Sequence, residues 1–287
     1  MDWERFDWLI DRALEEDRAR QDVTTRALVP PGRRAEAEVR AGAEGVACGL
    51  PLVRRVAARF DPHLEFQECV REGERVRPGA VMARLSGPAA SVLSVERTIL
   101  NFLGRLSGVA TLTAQFVENV KGTKARIYDT RKTTPGWREL EKYAVRCGGG
   151  CNHRMNLADQ ALIKDNHLAL LSTEPQGPQA VHEAVEKVRA TCPGLEVEVE
   201  VQNLAEAEAA LAAGPDVIML DNMSPQQVRE AAALTKAKAG ARPLLEASGT
   251  VTLATVRDYA EAGADRISIG ALTHSAPALN LSLEIVG

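Results

Sequence analysis

The chain has no apolar run approaching the roughly 20 residues that a membrane-spanning helix needs. Its opening Met1-Asp2-Trp3-Glu4-Arg5 is acidic, without the basic start and apolar stretch of a secretory signal. A soluble, cytoplasmic protein is the expectation. The five cysteines (Cys48, Cys69, Cys147, Cys151 and Cys192) are odd in number and form no C-x-x-C pair, which excludes a disulfide framework and suits a reducing compartment. Cys147 and Cys151 stand four apart, but they flank three glycines and have no second pair, so zinc is not expected. Positive charge is not in excess: 35 Lys plus Arg against 39 Asp plus Glu leave a net charge of -4. The molecule as a whole therefore has no long-range attraction for nucleic acid or anionic lipid, and any anion site must be local. Also missing are G-x-x-x-x-G-K-[ST], a G-x-G-x-x-G after a strand, H-E-x-x-H and G-x-S-x-G, which argues against a P-loop ATPase, a Rossmann dehydrogenase, a zincin and a serine hydrolase. The five histidines form no metal-like pair, and only His153, beside Arg154, is expected to serve a site.

What is present is a globular composition, 45% hydrophobic and 26% charged over 287 residues, enough for one large domain or two smaller ones. Trp3, Phe6, Leu9 or Ile10, Ala13 and Leu14 recur at helical spacing, with Asp2 as N-cap, and predict a first helix ending before Gln21. From Ala35 to Ser86, short alternating segments split by Gly and Pro surround a helix at Pro51 to Phe60, the pattern of a small α+β layer. Ala89 to Val120 is mostly helical, with Gly104 and Gly108 either breaking it or allowing close packing.

After Lys124 the rhythm becomes strand, loop, helix. Strands are expected at Arg126 to Asp129, Ala161 to Lys164, Glu196 to Val201, Val217 to Asp221, Leu244 to Ser248 and Arg266 to Gly270. Helices are expected at Pro178 to Ala190, Leu204 to Ala213, Pro225 to Ala239 and Leu253 to Ala262. This alternation predicts an α/β unit, either an open doubly wound sheet or a barrel, with function at the carboxyl ends of the strands. Asp129, Lys164, Glu200, Asp221, Ser248 and Gly270 all fall at such ends. A strand buried on both faces tolerates charge poorly, so charges gathered at one end point to a shared loop surface.

The densest chemistry lies between Arg131 and Arg154, where Arg131, Lys132, Arg138, Lys142, Arg146, His153 and Arg154 face only Glu139 and Glu141. Such a run repels itself without an anionic partner, and the glycines at 148, 149 and 150 would let backbone N–H groups approach one. Glu200 and Asp221, ending neighbouring strands, are what a hydrated Mg²⁺ held between protein and phosphate would use, although simple pairing with the basic loop is an equal explanation. The segments Glu246-Ala-Ser-Gly249 and Ile269-Gly-Ala-Leu-Thr-His-Ser275 place small, donor-rich loops at the last two strand ends, the usual phosphate cradle of barrels.

Taken together, Asp22-Val-Thr-Thr25, Glu96-Arg-Thr-Ile-Leu-Asn101, Asp129-Thr-Arg-Lys-Thr-Thr-Pro-Gly136, Lys142 to Gly150, Asn152-His-Arg154, Ile163-Lys-Asp-Asn-His167, Glu198-Val-Glu-Val201, Leu220-Asp-Asn222, Glu246-Ala-Ser-Gly249 and Gly270-Ala-Leu-Thr-His274 resemble the quinolinate phosphoribosyltransferase family nearly end to end. The resemblance implies an α/β protein with an N-terminal α+β open-faced sandwich (1–110, with 275–287 returning to it) and a C-terminal open, seven-stranded α/β barrel (111–274). It implies transfer of phosphoribosyl from phosphoribosyl pyrophosphate (PRPP) to quinolinate with decarboxylation, in a homodimer or higher homo-oligomer with shared active sites. By position, Arg97 would be the cation lent by the partner, and Arg131, His153, Arg154 and Lys164 would surround the two carboxylates of quinolinate. Lys132 and Lys164 would approach PRPP. Glu200 and Asp221 would face the ribose hydroxyls and Mg²⁺, and Ser248, Gly249 and Gly270 would hold the 5′-phosphate. Lys132, Lys164, Glu200 and Asp221 are thereby the catalytic candidates. Two rivals stay open: a related phosphoribosyltransferase for another aromatic acid such as nicotinate, and a phosphate-binding barrel lyase with Lys164 as Schiff-base amine.

Overall fold

The computed structural model describes residues 1–171, 178–237 and 242–287. Its first elements are α1 (Asp7–Glu16), α2 (Val23–Leu28), β1 (Arg34–Ala41), β2 (Gly45–Val46), α3 (Leu50–Phe60), β3 (Glu65–Glu68), β4 (Arg75–Val76), β5 (Val81–Pro88) and α4 (Ala89–Asn119). Then follow β6 (Arg126–Tyr128), α5 (Arg138–Cys147), β7 (Ala161–Ile163), α6 (Asp165–Leu171), α7 (Pro178–Thr191), β8 (Val197–Val201), α8 (Leu204–Ala213) and β9 (Val217–Asp221). The chain ends with α9 (Pro225–Ala237), β10 (Leu244–Ser248), α10 (Val256–Ala262), β11 (Arg266–Ser268), α11 (Ala271–His274) and β12 (Leu281–Ile285). Two compact units result: Met1–Ala114 with Arg146–Gly149 and Ala276–Gly287, and Gln115–Val145 with Gly150–Ser275.

In the first unit an antiparallel sheet runs β12-β1-β5-β3. Ala35, Ala37, Val39 and Ala41 on β1 alternate with charged residues and bury one face, as the period of two requires, while on the other face Glu38 is covered by its pairing with Arg40 and Arg84. The carboxyl-terminal strand pairs with β1 in the register Ala37↔Ile285 and Val39↔Leu283. The long helix α4 is unbroken, so the glycines serve packing: a Cβ on Gly108 would lie 2.0 Å from Pro277 O, and one on Gly104 would lie 3.0 Å from Leu279 O. The Leu279 N–H completes this crossing by donating to Gly104 O at 2.9 Å.

The second unit holds six parallel strands in the order β6-β11-β10-β9-β8-β7. The strand first in the sequence thus lies beside the last. On the free side of β6, Cys151 makes a single parallel bridge to Tyr128, with its N–H on Ile127 O at 2.8 Å and its C=O accepting the Asp129 N–H at 3.1 Å. Cys151 therefore stands where a second strand would run, giving seven strand positions with the seam between it and β7. Side chains from well-separated strands meet inside: Arg266 of β11 reaches Glu196, just before β8, at 2.6 Å although β10 and β9 intervene. Only a sheet curled on itself allows that contact, which makes this unit an open barrel rather than a doubly wound sheet.

The alternation on β8 shows the division of labour. Val197, Val199 and Val201 are buried under the helices, while Glu196, Glu198 and Glu200 point to the interior. The expectation that charge collects only at strand ends is therefore corrected: Glu198 and Glu246 sit on strands with 0% exposure, because the barrel interior is polar. Smaller differences have local causes. The first helix is a 3₁₀ turn at Glu4–Phe6 followed by α1, which ends at Glu16, and α10 starts at Val256 because the Thr252 N–H donates to Thr255 Oγ1 at 3.0 Å in a turn before it. Of the helix expected at 225–239, the last two positions lie outside the described residues. Among the described residues, no helix is long and apolar enough to cross a membrane.

Candidate active site

The strands of the barrel open at their carboxyl ends onto a cavity of about 710 Å³. Ten of the eleven residues singled out from the sequence line it: Arg131, Lys132, His153, Arg154, Lys164, Glu200, Asp221, Ser248, Gly249 and Gly270. Arg97 does not; it is an exposed residue of α4 in the first unit.

The basic run divides in two. Arg131, Lys132 and Arg154 enter the cavity, the first two on a loop shaped by Glu141, whose carboxylate accepts the Thr134 N–H at 3.0 Å, and by Thr273 Oγ1, which donates to Lys132 O at 2.7 Å. Lys142 and Arg138, counted in the same run, do not face an anion. Lys142 is wholly buried, bonded to Asp129 Oδ1 and donating to His153 O at 2.8 Å, and Arg138 donates to Thr133 Oγ1 and Met155 O, both at 3.1 Å. Burial pushes the Asp129 carboxyl up and the Lys142 ammonium down, each against the pull of its partner. The pair was missed because a lysine in a basic loop reads as solvated.

Arg131 and Arg154 are the electrostatic centre of the mouth. Burial lowers the Arg154 pKa, and the positive charge of Arg131 lowers it further. Arg154 Nη1 donates to Gln160 O at 3.0 Å, while Arg131 Nε is buried without a hydrogen-bond partner among the described residues. Two like charges lining one cavity, one with an unused buried donor, are chemically suited to a multiply charged anion.

Opposite them, Lys164 Nζ donates to Glu200 Oε2, and Asp221 Oδ2 accepts Asn222 Nδ2 at 2.9 Å. Glu200 pairs in register with Met219, so Glu200 and Asp221 project inward from adjacent strands one step apart. Two hard oxygen donors in one cavity would suit Mg²⁺, which keeps several waters and takes one or two carboxylates.

The loop after β10 depends on two special backbones. Gly249 has φ +121°, and a Cβ there would lie 2.3 Å from Asn222 Oδ1. Asn222 is itself left-handed (φ 54°) and donates its N–H to Ser248 O at 2.9 Å. A Cβ on Gly270 would approach His274 Nε2 at 3.0 Å and Lys132 Cδ at 3.1 Å. His274, read from the sequence as ordinary, lines the cavity; the signal that it belonged there was its place in the loop after the last strand.

Below the mouth, His153 is only 9% exposed, and its ring lies among interior groups. Nε2 is 3.1 Å from Glu198 Oε2 and 3.4 Å from Glu246 Oε1, and Nδ1 accepts the Arg154 N–H at 2.8 Å. Both ring nitrogens are thus engaged by the protein, while the residue still lines the cavity. Burial, then the charge of Glu246, raises the Glu198 carboxyl to about 7. Sequence reading overlooked both glutamates. Their signal was Glu at every second position of a strand that should be buried on both faces.

The comparisons with known proteins cover both units. Residues 22–107 match the model of the quinolinate phosphoribosyl transferase N-terminal domain, and 109–284 match that of its C-terminal domain. The nicotinate-nucleotide pyrophosphorylase [carboxylating] of Mycobacterium leprae is 40% identical, over 96% of this chain and 95% of its own length. The tobacco (Nicotiana tabacum) quinolinate phosphoribosyltransferase [decarboxylating] 1b is 36% identical, over 96% and 81%. Among solved structures, the nicotinate-nucleotide pyrophosphorylase from Francisella tularensis is 34% identical and superposes with a TM-score of 0.89, covering 100% of this chain and 98% of that one. Matched across both of its domains, this chain belongs to the quinolinate phosphoribosyl transferase family.

Proposed function

We propose that this protein transfers the phosphoribosyl group of PRPP to the ring nitrogen of quinolinate and releases the adjacent carboxylate as CO₂, yielding nicotinate mononucleotide and pyrophosphate for NAD synthesis. The Arg131–Arg154 pair at the mouth carries this reading, because two guanidiniums lining one cavity, close enough for one to lower the pKa of the other, suit a substrate bearing two carboxylates. The names of the relatives from Mycobacterium leprae and tobacco agree with it.

In the first step the pyridine nitrogen bonds to C1 of the ribose while the C1–O bond to pyrophosphate breaks, through a transition state of oxocarbenium character. Lys132 and Lys164, fixed before reaction, stabilise charge on the departing pyrophosphate. Glu200 and Asp221 lie by the ribose and favour its developing positive charge. They would also hold Mg²⁺, which when bound supplies further charge for the diphosphate. Ser248, Gly249 and Gly270 cradle the 5′-phosphate. In the second step the C2–carboxylate bond breaks, CO₂ leaves, and the electron pair stays on C2 beside the now quaternary nitrogen until a proton is taken up. Arg131 and Arg154 orient the two carboxylates and help exclude water.

The enzyme works in the cytoplasm as a homodimer or higher homo-oligomer with shared sites, where Arg97 of one chain completes the site of another. The test is Arg154→Ala: leaving a carboxylate unpaired in a desolvated site costs on the order of 2 to 5 kcal/mol of transition-state binding. A near wild-type kcat/KM for quinolinate would refute the assignment. Supplying nicotinate instead of quinolinate should release no CO₂ and form little product. Lys164 is bonded to Glu200, which disfavours a Schiff-base role, so borohydride should trap no adduct there.

A further inference from the structure

Glu198 and Glu246 are both 0% exposed, yet Glu198 Oε1 and both oxygens of Glu246 have no hydrogen-bond partner among the described residues. Two buried carboxylates so poorly satisfied are costly; both reach the imidazole of His153, and Glu198 Oε2 also accepts from Gln160 Nε2 at 3.1 Å.

A histidine and two glutamates also have the composition of a metal site. The ring's other nitrogen argues against it. Nδ1 accepts the Arg154 N–H at 2.8 Å, so its lone pair is used there and the ring proton resides on Nε2, leaving Nε2 no lone pair for a metal. Burial disfavours an imidazolium, yet the two carboxylates outweigh it and raise the imidazole to about 9; but a second proton on Nδ1 would meet the Arg154 N–H head on at 2.8 Å, and this contact decides for a ring with one proton, at Nε2.

We propose that Glu198 and Glu246 are positioning residues for the acceptor substrate: from β8 and β10 they hold His153 Nε2–H, so that Nδ1 fixes the Arg154 main chain and aims its guanidinium into the mouth beside Arg131. The inference rests on the reading of Arg154 as a carboxylate ligand. Main-chain support matters here because, among the described residues, the Arg154 guanidinium has one hydrogen-bond anchor, Gln160 O. Misplacing a substrate-binding group by a fraction of an ångström is enough to cost an order of magnitude.

The test is steady-state kinetics on full-length Glu246→Ala, Glu246→Gln, Glu198→Ala, His153→Ala and His153→Asn, with Arg154→Ala as control. Each alanine variant is expected to raise the quinolinate KM about tenfold or more while the PRPP KM changes less than about threefold. Glu246→Gln keeps an acceptor oxygen and gives Glu198 a donor, and His153→Asn keeps an acceptor at the Nδ1 position; both should recover most of the loss. An Asx oxygen already accepts the following N–H in this molecule, Asp165 Oδ1 from Asn166 at 2.7 Å. If an alanine variant fails to fold, the Gln and Asn variants still decide the matter: a His153→Asn quinolinate KM as poor as that of Arg154→Ala overturns the proposal. So do alanine variants that shift both KM values together or neither. A stoichiometric divalent metal in the wild-type protein, lost in Glu246→Ala, would also overturn it. An Arg154→Ala enzyme with normal quinolinate KM would instead sink the underlying functional reading.

Discussion

Lys142 Nζ is bonded to Asp129 Oδ1 in a pocket where neither side chain is reached by solvent. The pair clamps both backbone groups of one residue: His153 donates its N–H to Asp129 Oδ1 at 2.9 Å, and its C=O accepts from Lys142 at 2.8 Å. Asn152 Nδ2 binds the remaining Asp129 oxygen and Lys142 O, so the loop entering the active site is tied to the end of β6 and to α5. Lys142→Met would strand a buried carboxylate, and breaking such a pair costs about 3 to 5 kcal/mol. Thermal unfolding should show a large fall in Tm. Adding Asp129→Asn should restore part of it by removing the stranded charge. A Lys142→Met protein as stable as the wild type would mean that the ion pair is unimportant.

A second prediction concerns the phosphate cradle. Gly249→Ala combines a backbone that side chains rarely adopt (φ +121°) with a Cβ 2.3 Å from Asn222 Oδ1. Strain of this kind costs about 1 to 3 kcal/mol, and relief requires Asn222 to move from the hydrogen bond it makes with Asp221. The PRPP KM should therefore rise clearly more than the quinolinate KM. Equal effects on the two, or none, would remove Gly249 from the cradle.

These residues also show where sequence reading succeeds and where it stops. Lys164, Asp221, Ser248 and Gly270 were legible because a parallel strand must end at the mouth and polar residues appear there at once. Glu200 was legible for the same reason. Glu198, only two residues earlier, was not. Telling a packed interior from a polar one requires knowing that β8 curls until its inner face meets β10 and β11, and no local pattern carries that. Lys142 was misassigned for a related reason: Asp129, its counter-charge, lies 13 residues away and becomes a neighbour only through the turn between β6 and α5. His153 was found by its position beside Arg154, but the direction of its ring depends on partners from two distant strands.

Asp265 gives a pH prediction. Burial alone would raise its carboxyl, but hydrogen bonds from Arg242, the Leu245 N–H and Lys124 outweigh it and lower the pKa from 3.8 to about 2. A carboxyl depressed on folding contributes stability that is whole above the unfolded value and lost as pH falls through the folded one. Roughly 2 kcal/mol should therefore be present at pH 7 and drain away between about pH 4 and 2. Asp265→Asn should be less stable than wild type at neutral pH, with the gap closing on acidification. Urea unfolding at pH 7, 4 and 3 checks this, and a gap independent of pH would show that the hydrogen bonds, not the charge, carry the effect.

The last prediction concerns the metal. Glu200 is held by Lys164, whereas among the described residues Asp221 accepts from the amide of its neighbour Asn222, a neutral and weaker partner than an ammonium. Of the two, Asp221 is thus the freer to accept a hydrated Mg²⁺ arriving with the diphosphate, and Glu200 would have to exchange part of its bond with Lys164. Chelation with EDTA should abolish turnover and added Mg²⁺ restore it. Asp221→Asn keeps the shape and the neighbouring amide contact but removes the charge, so it should raise the Mg²⁺ concentration needed for half-maximal rate about tenfold, corresponding to about 1.4 kcal/mol. Glu200→Gln should act more on kcat, since it also frees Lys164 to swing away from its set position. Full activity in chelator would refute the metal role for both carboxylates, and an Asp221→Asn enzyme with unchanged Mg²⁺ dependence would refute this division between them.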